Sequence, residues 1–325
     1  MSYNEDYFNI ALAKLEERRR VNRLESDMRR SEVETKIPEY RTLSQKLGET
    51  GGKLVALIMR GGDTSAELAK LERENTETQK RLAELLYENG YPQDYLEPVY
   101  TCPICRDKGI VNNQWCSCFN KLLMEETARE LNQNSPLKLS TFESFRVDLY
   151  PDVINPIMKV SERSIMQRNF DYCKSYAENF TPASEGILMT GATGLGKTHL
   201  SLAIASKVLE KGYTVIYGSA PELLHTLERE HFGKSSKDTM SALTGCDLLI
   251  FDDLGAETDK PLYDSLIYEI INSRICRSLP MIVSTNYNTT ELQKHYADKI
   301  CSRLLSFRLM AFFGNDIRRV LKKQR

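Results

Sequence analysis

The chain has no run of eighteen apolar residues among its 325 positions, so no membrane-spanning helix is expected. Its first residues, Met1-Ser2-Tyr3-Asn4-Glu5-Asp6, lack the basic start and apolar centre of a secretion signal. There is no excess of one charge: the formal net charge is −1, which excludes a protein that holds nucleic acid by overall basicity. No internal repeat and no low-complexity tract occurs. Histidine is scarce and scattered (His199, His225, His231 and His295), and no two have metal-ligand spacing. These absences predict a cytoplasmic protein, whose eight cysteines stay reduced rather than forming disulfides. Charge is concentrated only locally. Arg318, Arg319, Lys322, Lys323 and Arg325 make a basic terminus that either meets phosphates or is a solvated tail.

What is present is sharper. Residues 191–198 read Gly-Ala-Thr-Gly-Leu-Gly-Lys-Thr, a complete G-x-x-x-x-G-K-[ST] loop. Gly191, Gly194 and Gly196 allow backbone N–H groups to converge on a phosphate with no Cβ in the way. Ala192, Thr193 and Leu195 complete the cradle, Lys197 supplies a cation, and the Thr198 hydroxyl is placed to ligate Mg²⁺. An apolar run at 186–190 precedes the loop and a helical pattern at 199–205 follows it. Strand, glycine-rich turn and helix put phosphate at a helix N-terminus.

Leu248-Leu249-Ile250-Phe251-Asp252-Asp253 is an apolar strand ending in two carboxylates, the Walker B pattern. Asp252 is the expected Mg²⁺ holder, directly or through water, and Asp253 is expected to orient or deprotonate the attacking water. Ile282-Val283-Ser284-Thr285-Asn286 is a further strand, expected beside the loop strand, and Asn286 would then face a γ-phosphate or the lytic water. An ordinary turn asparagine is the alternative. Arg303, in a helical pattern, is either a surface cation or a finger that reaches a neighbouring subunit's nucleotide. Arg318, or Arg319 in its place, would contact the γ-phosphate from the C-terminal segment.

Cys102, Cys105, Cys116 and Cys118 are spaced C-x₂-C-x₁₀-C-x-C. Two close thiol pairs across a short loop suit a structural Zn²⁺ with no open coordination position. An Fe–S cluster on the same ligands and four buried free thiols are the alternatives. Lys108-Gly109 suits a tight turn beside the metal. Trp115 is read as a packing residue rather than a base-stacking one. Cys173, Cys246, Cys276 and Cys301 have no pairing pattern and read as small apolar residues.

Length suggests about two domains. Residues 1–95 form a charged helical arm, 96–122 the cysteine module, 123–150 a linker and 151–325 an alternation of strands and helices. In the arm, Leu15, Val21, Leu24 and Met28 fit one helical stripe, and glycines at 48, 51, 52, 61 and 62 punctuate it. A helix capped near Asp63-Thr64-Ser65 carries Leu68, Leu71, Leu82, Leu85 and Leu86. Such thin stripes call for a covering partner, although a solvated hairpin would read the same. The alternation in 151–325, with strands at 186–190, 214–217, 248–251, 281–284 and 311–313, predicts an α/β domain with a parallel sheet covered on both faces.

These motifs resemble a known group. Gly191–Thr198, Leu248–Gly255, the run Leu266-Ile267-Tyr268-Glu269-Ile270-Ile271-Asn272-Ser273-Arg274, Ser284-Thr285-Asn286, Ser302-Arg303-Leu304 and Gly314-Asn315-Asp316-Ile317-Arg318 are similar to AAA+ ATPases of the bacterial replicative helicase loader group (DnaC/DnaI type), with the IstB-type transposition helpers as relatives. The resemblance covers about 140–325 and implies an AAA+ fold, ATP hydrolysis with Mg²⁺, binding of single-stranded DNA and delivery of a hexameric replicative helicase. It also implies self-association in the ATP state, places Arg303 at the finger position and Arg318 at sensor 2, and agrees with a zinc module. Asp253 departs from the group, where Glu is commoner. That leaves open an adaptor that binds ATP and scarcely hydrolyses it. The long charged arm leaves its partner open.

Overall fold

Within residues 151–317, apolar side chains alternate along the strands so that each strand feeds two cores. Leu188, Ile216, Leu249, Phe251, Met281 and Val283 point to one face. Ile187, Met189, Val215, Leu248, Ile250, Ile282 and Met310 point to the other. A strand buried on both faces must be central and covered by helices on each side. The structure, a computed structural model, describes residues 5–60, 64–133, 140–154, 159–233 and 238–317. It divides into two units, Leu12–Phe119 and Met1–Ala11 with Asn120–Arg325. No helix among the described residues is long and apolar enough to cross a membrane.

The first unit contains α1 (Glu5–Lys36) from Leu12 onward, α2 (Pro38–Gly48), α3 (Thr50–Arg60), α4 (Ser65–Glu88) and a small hairpin of β1 (Ile110–Val111) and β2 (Gln114–Trp115). Val33 and Ile37 pack with Tyr40 of α2 and with Leu82, Leu85 and Leu86 of α4. Leu68 and Leu71 are half-buried. The stripe on α1 stays open over most of its length: Leu15 is buried, whereas Val21, Leu24 and Met28 are 49%, 53% and 66% exposed, as both the partner-binding and the solvated-hairpin readings expect. One expectation is corrected. Gly51 and Gly52 do not interrupt the arm but lie inside α3. Both glycines sit in the first turn of α3 and are exposed, with open space around them. Thr64 precedes α4 without making a side-chain cap bond; Gly61, Gly62 and Asp63 lie outside the described residues.

The α5 helix (Ser117–Leu131) leads from the cysteine module toward the second unit. There follow α6 (Glu162–Glu178), β3 (Ile187–Thr190), α7 (Lys197–Glu210), β4 (Val215–Ser219), α8 (Ala220–His231), α9 (Thr239–Gly245), β5 (Leu248–Leu254), α10 (Pro261–Cys276), β6 (Met281–Thr285), α11 (Thr289–His295), α12 (Asp298–Leu304) and β7 (Arg308–Ala311). The five strands β3 to β7 form a parallel sheet in the order β4-β5-β6-β3-β7. The last strand is shifted from the expected 311–313. Its ladder pairs Arg308 to Ala311 with Ile187 to Thr190, and an edge strand tolerates the exposed Arg308 and Leu309 that disguise it in sequence. Helices α6 and α7 cover one face and α8 to α12 the other. The first strand thus lies between the fourth and the fifth. The chain leaves β3 and β6 toward opposite faces, and this divergence opens a crevice at their C-terminal ends.

Helix starts obey local chemistry. Ser161 caps α6 by accepting from Ser164 N at 3.2 Å. Asn288 and Glu291 form a reciprocal capping box on α11. Among the buried polar residues, Arg274 of α10 is fully buried. Its guanidinium donates to Leu243 O at 2.7 Å and to Pro280 O at 2.5 Å, tying the end of α9 to the approach to β6. Replacement by Ala leaves these carbonyls only long contacts, from Cys246 Sγ to Leu243 O at 3.8 Å and from Leu249 N to Pro280 O at 3.5 Å, and each poorly paired buried group costs about 1–3 kcal/mol. Arg274→Ala should therefore lower stability by about 2–5 kcal/mol, read as a fall in the urea midpoint at constant slope. Arg274→Lys should not restore it, because one ammonium cannot span the two carbonyls held by the planar fork.

Candidate functional site

The glycine-rich loop joins β3 to α7, and its glycines take backbone angles that other residues resist. Gly191, Gly194 and Gly196 have φ of 143°, 78° and 90°. Space matters as much. A Cβ at Gly191 would lie 2.3 Å from Phe312 O, just past β7, and one at Gly196 would lie 2.8 Å from the Phe145 ring and 2.9 Å from the Tyr150 hydroxyl oxygen. The loop is therefore held from two sides. Tyr150 Oη donates to Leu195 O at 2.8 Å, and Ile317 N donates to Gly194 O at 3.1 Å. Beyond the loop, α7 begins at Lys197, so its unpaired N–H groups and positive dipole end face the crevice.

Lys197 is buried and its ammonium donates to Gly191 O at 2.6 Å, Ala192 O at 2.9 Å and Asn286 Oδ1 at 2.9 Å. The pairing of β6 with β3 is what brings Asn286 to the loop. Asp252, 3% exposed, accepts from three hydroxyls. Thr198 Oγ1 donates at 2.9 Å to Oδ2 and lies 3.2 Å from Oδ1; Tyr217 Oη donates to Oδ2 at 3.0 Å; Ser284 Oγ donates to Oδ1 at 2.5 Å.

A bulge sets the two acids apart. Phe251 pairs with Val283 and Leu254 with Thr285, so Asp252 and Asp253 together oppose Ser284. Asp253 takes φ of 53°, a left-handed conformation that is costly for a non-glycine residue. Ser284 serves both acids, since its oxygen also accepts from Asp253 N at 3.0 Å. The inward Asp252 and the cleft-facing Asp253 follow from this extra residue.

A cleft of about 350 Å³ is lined by Thr193 to His199, Asp253 and Asn286, and by Ser144, Phe145, Arg146, Leu149 and Ile317. Phe145 stacks on Phe170 at 5.7 Å and meets His199 edge-on at 5.3 Å. His199 Nε2 lies 2.9 Å from Thr141 O and 3.0 Å from Ser144 Oγ. Sequence reasoning assigns no role to Ser144, Phe145, Leu149, His199, Tyr217 or Ser284. The aromatic cluster Phe142, Phe145, Tyr150 in an otherwise polar stretch was the available signal for part of this wall.

The structure does not bring Arg303 to this cleft. Its Nε donates to Asn272 Oδ1 and its Nη2 to Tyr268 Oη, both at 2.9 Å, and its guanidinium stacks 4.5 Å from the Tyr268 ring. It is a part-exposed cation fixed to α10, and two of its partners belong to the Tyr268–Arg274 run. Arg318 lies outside the described residues.

The chain is similar to several known proteins. The family described as IstB-like ATP binding protein matches residues 161–311. Over 137 residues the chain is 28% identical to the replicative helicase loader DnaI of Bacillus subtilis, covering 42% of this chain and 43% of that protein. Over 178 residues it is 24% identical to the replicative helicase loader DnaC of Escherichia coli K12, covering 54% and 65%. The matches thus span under two thirds of either relative. A crystal structure of the DnaC helicase loader aligns at a TM-score of 0.46 and 21% identity, covering 55% of this chain and 99% of that one. The fold rests on the strand order above and not on this likeness.

The second candidate site is the cysteine module. The sulfurs of Cys102, Cys105, Cys116 and Cys118 all lie within 4.8 Å of one another, with Cys102–Cys116 at 3.8 Å and Cys105–Cys118 at 3.4 Å. Tetrahedral zinc with Zn–S bonds of about 2.3 Å requires sulfurs about 3.8 Å apart, so the cluster is compatible with a zinc module. Gly109 N donates to Cys105 Sγ at 3.3 Å, the turn bond that the Lys108-Gly109 pair suggests. The Cys118 backbone N–H beside Cys116 holds that thiol down at about 7, whereas burial pushes Cys105 and Cys118 up. The Asn112-Asn113 turn of the hairpin takes φ of 50° and 64°, as a tight antiparallel turn requires. Trp115 stacks on Phe119 at 4.4 Å.

The arm grips this module. Asp107 is buried and accepts from Cys102 N, Thr101 N and Asn22 Nδ2 at 2.7, 2.9 and 2.8 Å. Arg19 donates to Asp107 O at 2.6 Å and Lys108 O at 3.1 Å, and Leu15 leaves no room for a Cβ at Gly109. Elemental analysis of the purified chain should find about one zinc per molecule, and Cys105→Ser should lose it. Iron with visible absorbance would replace zinc with a cluster.

Proposed function

We propose that the chain is an ATP-dependent helicase loader, with ATP and Mg²⁺ bound in the 350 Å³ cleft. The observation that carries the nucleotide reading is the meeting of the 191–198 loop, Lys197, Asn286 and the Thr198–Asp252 pair at one crevice. The loop and the α7 N-terminus would hold the phosphates. Lys197 would exchange carbonyl partners for phosphate oxygens, and Thr198 with Asp252 would hold magnesium, which supplies charge neutralisation. Asp253 is the residue proposed to orient or deprotonate water, Asn286 the γ-phosphate reader, and Arg318 a second contact from the C-terminal segment.

Arg303 is the proposed finger between subunits: its guanidinium is held by Asn272 and Lys299 O and does not line its own cleft. Self-association in the ATP state belongs to this proposal. Similarity to two proteins named as replicative helicase loaders favours a hexameric replicative helicase and single-stranded DNA as partners. The arm, with Val21, Leu24 and Met28 exposed, is the proposed helicase-binding element. The family description favours a second reading, an IstB-type transposition helper that would prefer duplex DNA.

Lys197→Ala should abolish binding of a fluorescent ATP analogue in equilibrium titration. Asp253→Asn should retain binding and lower hydrolysis by about 100-fold, the usual order for losing a general base; unchanged turnover would remove Asp253 from that role. The intact chain should co-elute with a hexameric replicative helicase in size-exclusion chromatography, and triple substitution of Val21, Leu24 and Met28 by Ser should abolish this. Preference for duplex over single-stranded DNA would turn the assignment to the transposition reading.

A further inference from the structure

Beside the nucleotide cleft, one side chain pairs with two backbone groups on the open edge of the sheet. As the outermost strand, β4 offers unpaired backbone groups on one side. Asn132, at the end of α5, meets two of them. Its Nδ2 donates to Val215 O at 2.7 Å and its Oδ1 accepts from Tyr217 N at 2.9 Å. One amide thus acts as a strand residue, with a donor and an acceptor in ladder geometry. The residue it grips is Tyr217, whose hydroxyl crosses to β5 and donates to Asp252 Oδ2. Neither a strand-edge plug nor a tyrosine on the acid is required by the sheet itself, since Asp252 already accepts from Thr198 and Ser284.

The consequence is geometric. A carboxylate that serves a metal must keep its plane fixed and leave one lone pair directed at the ion. Ser284 on β6 holds Oδ1 from one flank and Tyr217 on β4 holds Oδ2 from the other. Substitution of partners one step removed from a metal ligand commonly costs about 10–100-fold in metal affinity.

We propose that Tyr217 is a positioning residue for the magnesium-holding carboxylate of Asp252, and that Asn132 sets the depth of Tyr217 by clamping β4. The inference rests on the reading of the cleft as a Mg²⁺–ATP site and adds to it a control point outside the sheet, since any displacement of Asn132 is transmitted to Asp252 through one backbone step and one hydroxyl.

The test is a magnesium titration of fluorescent ATP-analogue binding to the full chain, paired with binding in EDTA. Tyr217→Phe keeps the ring and removes only the hydroxyl. It should raise the magnesium concentration for half-maximal binding about 10-fold and leave the EDTA affinity unchanged. Asn132→Ala should shift the same midpoint in the same direction, and the double variant should shift it no further than Tyr217→Phe alone, because both act through one contact. An unshifted midpoint in Tyr217→Phe overturns the positioning role. Additive shifts, or an Asn132→Ala that loses thermal stability without moving the midpoint, overturn the clamp. If the wild-type chain binds no nucleotide with or without magnesium, the nucleotide reading itself fails, a result distinct from the other two.

Discussion

One buried carboxylate organises the α/β domain. Asp252 gathers hydroxyls from the start of α7, from β4 and from β6, so three elements agree on one position. A buried anion is tolerable only when its hydrogen bonds are supplied, and here each donor comes from a different part of the chain. The loop, the crevice and the second acid are arranged around that point.

The bulge in β5 belongs to the same solution. Two consecutive acids on a regular strand would point to opposite faces, and one would enter an apolar core. Inserting one residue opposite Ser284 puts Asp252 under the hydroxyls and turns Asp253 to the cleft. The strained backbone of Asp253 is held by its N–H on Ser284. A single serine therefore satisfies one acid and anchors the other.

The two units use different means to the same end. The α/β domain has continuous cores on both sides of its sheet and can afford a buried arginine, Arg274, tied to backbone carbonyls. The cysteine module has almost no apolar interior. Its order comes from four clustered thiols, from Asp107 accepting three hydrogen bonds, and from Arg19, Asn22 and Leu15 of α1. A small segment that lacks a core gains order from such staples.

Local pattern carried much of this. The 191–198 loop, the apolar strand ending in Asp252 and Asp253, Asn286 and the cysteine spacing were legible because each is a short-range constraint: a turn that only glycine permits, a strand long enough to be buried, thiols close enough to share an ion. The parallel sheet followed from alternation. The α1 stripe was legible as an apolar face, though periodicity does not say what covers it; the displaced β7 was misread, because an edge strand need not be apolar. Tertiary structure alone decided the rest. Tyr217 and Ser284 on Asp252, Phe145 and Tyr150 on the loop, and Asn132 on the edge of β4 are contacts between residues 32 to 85 positions apart. No local propensity encodes such pairs; they exist only once the strand order has placed β4, β5, β6 and β3 side by side.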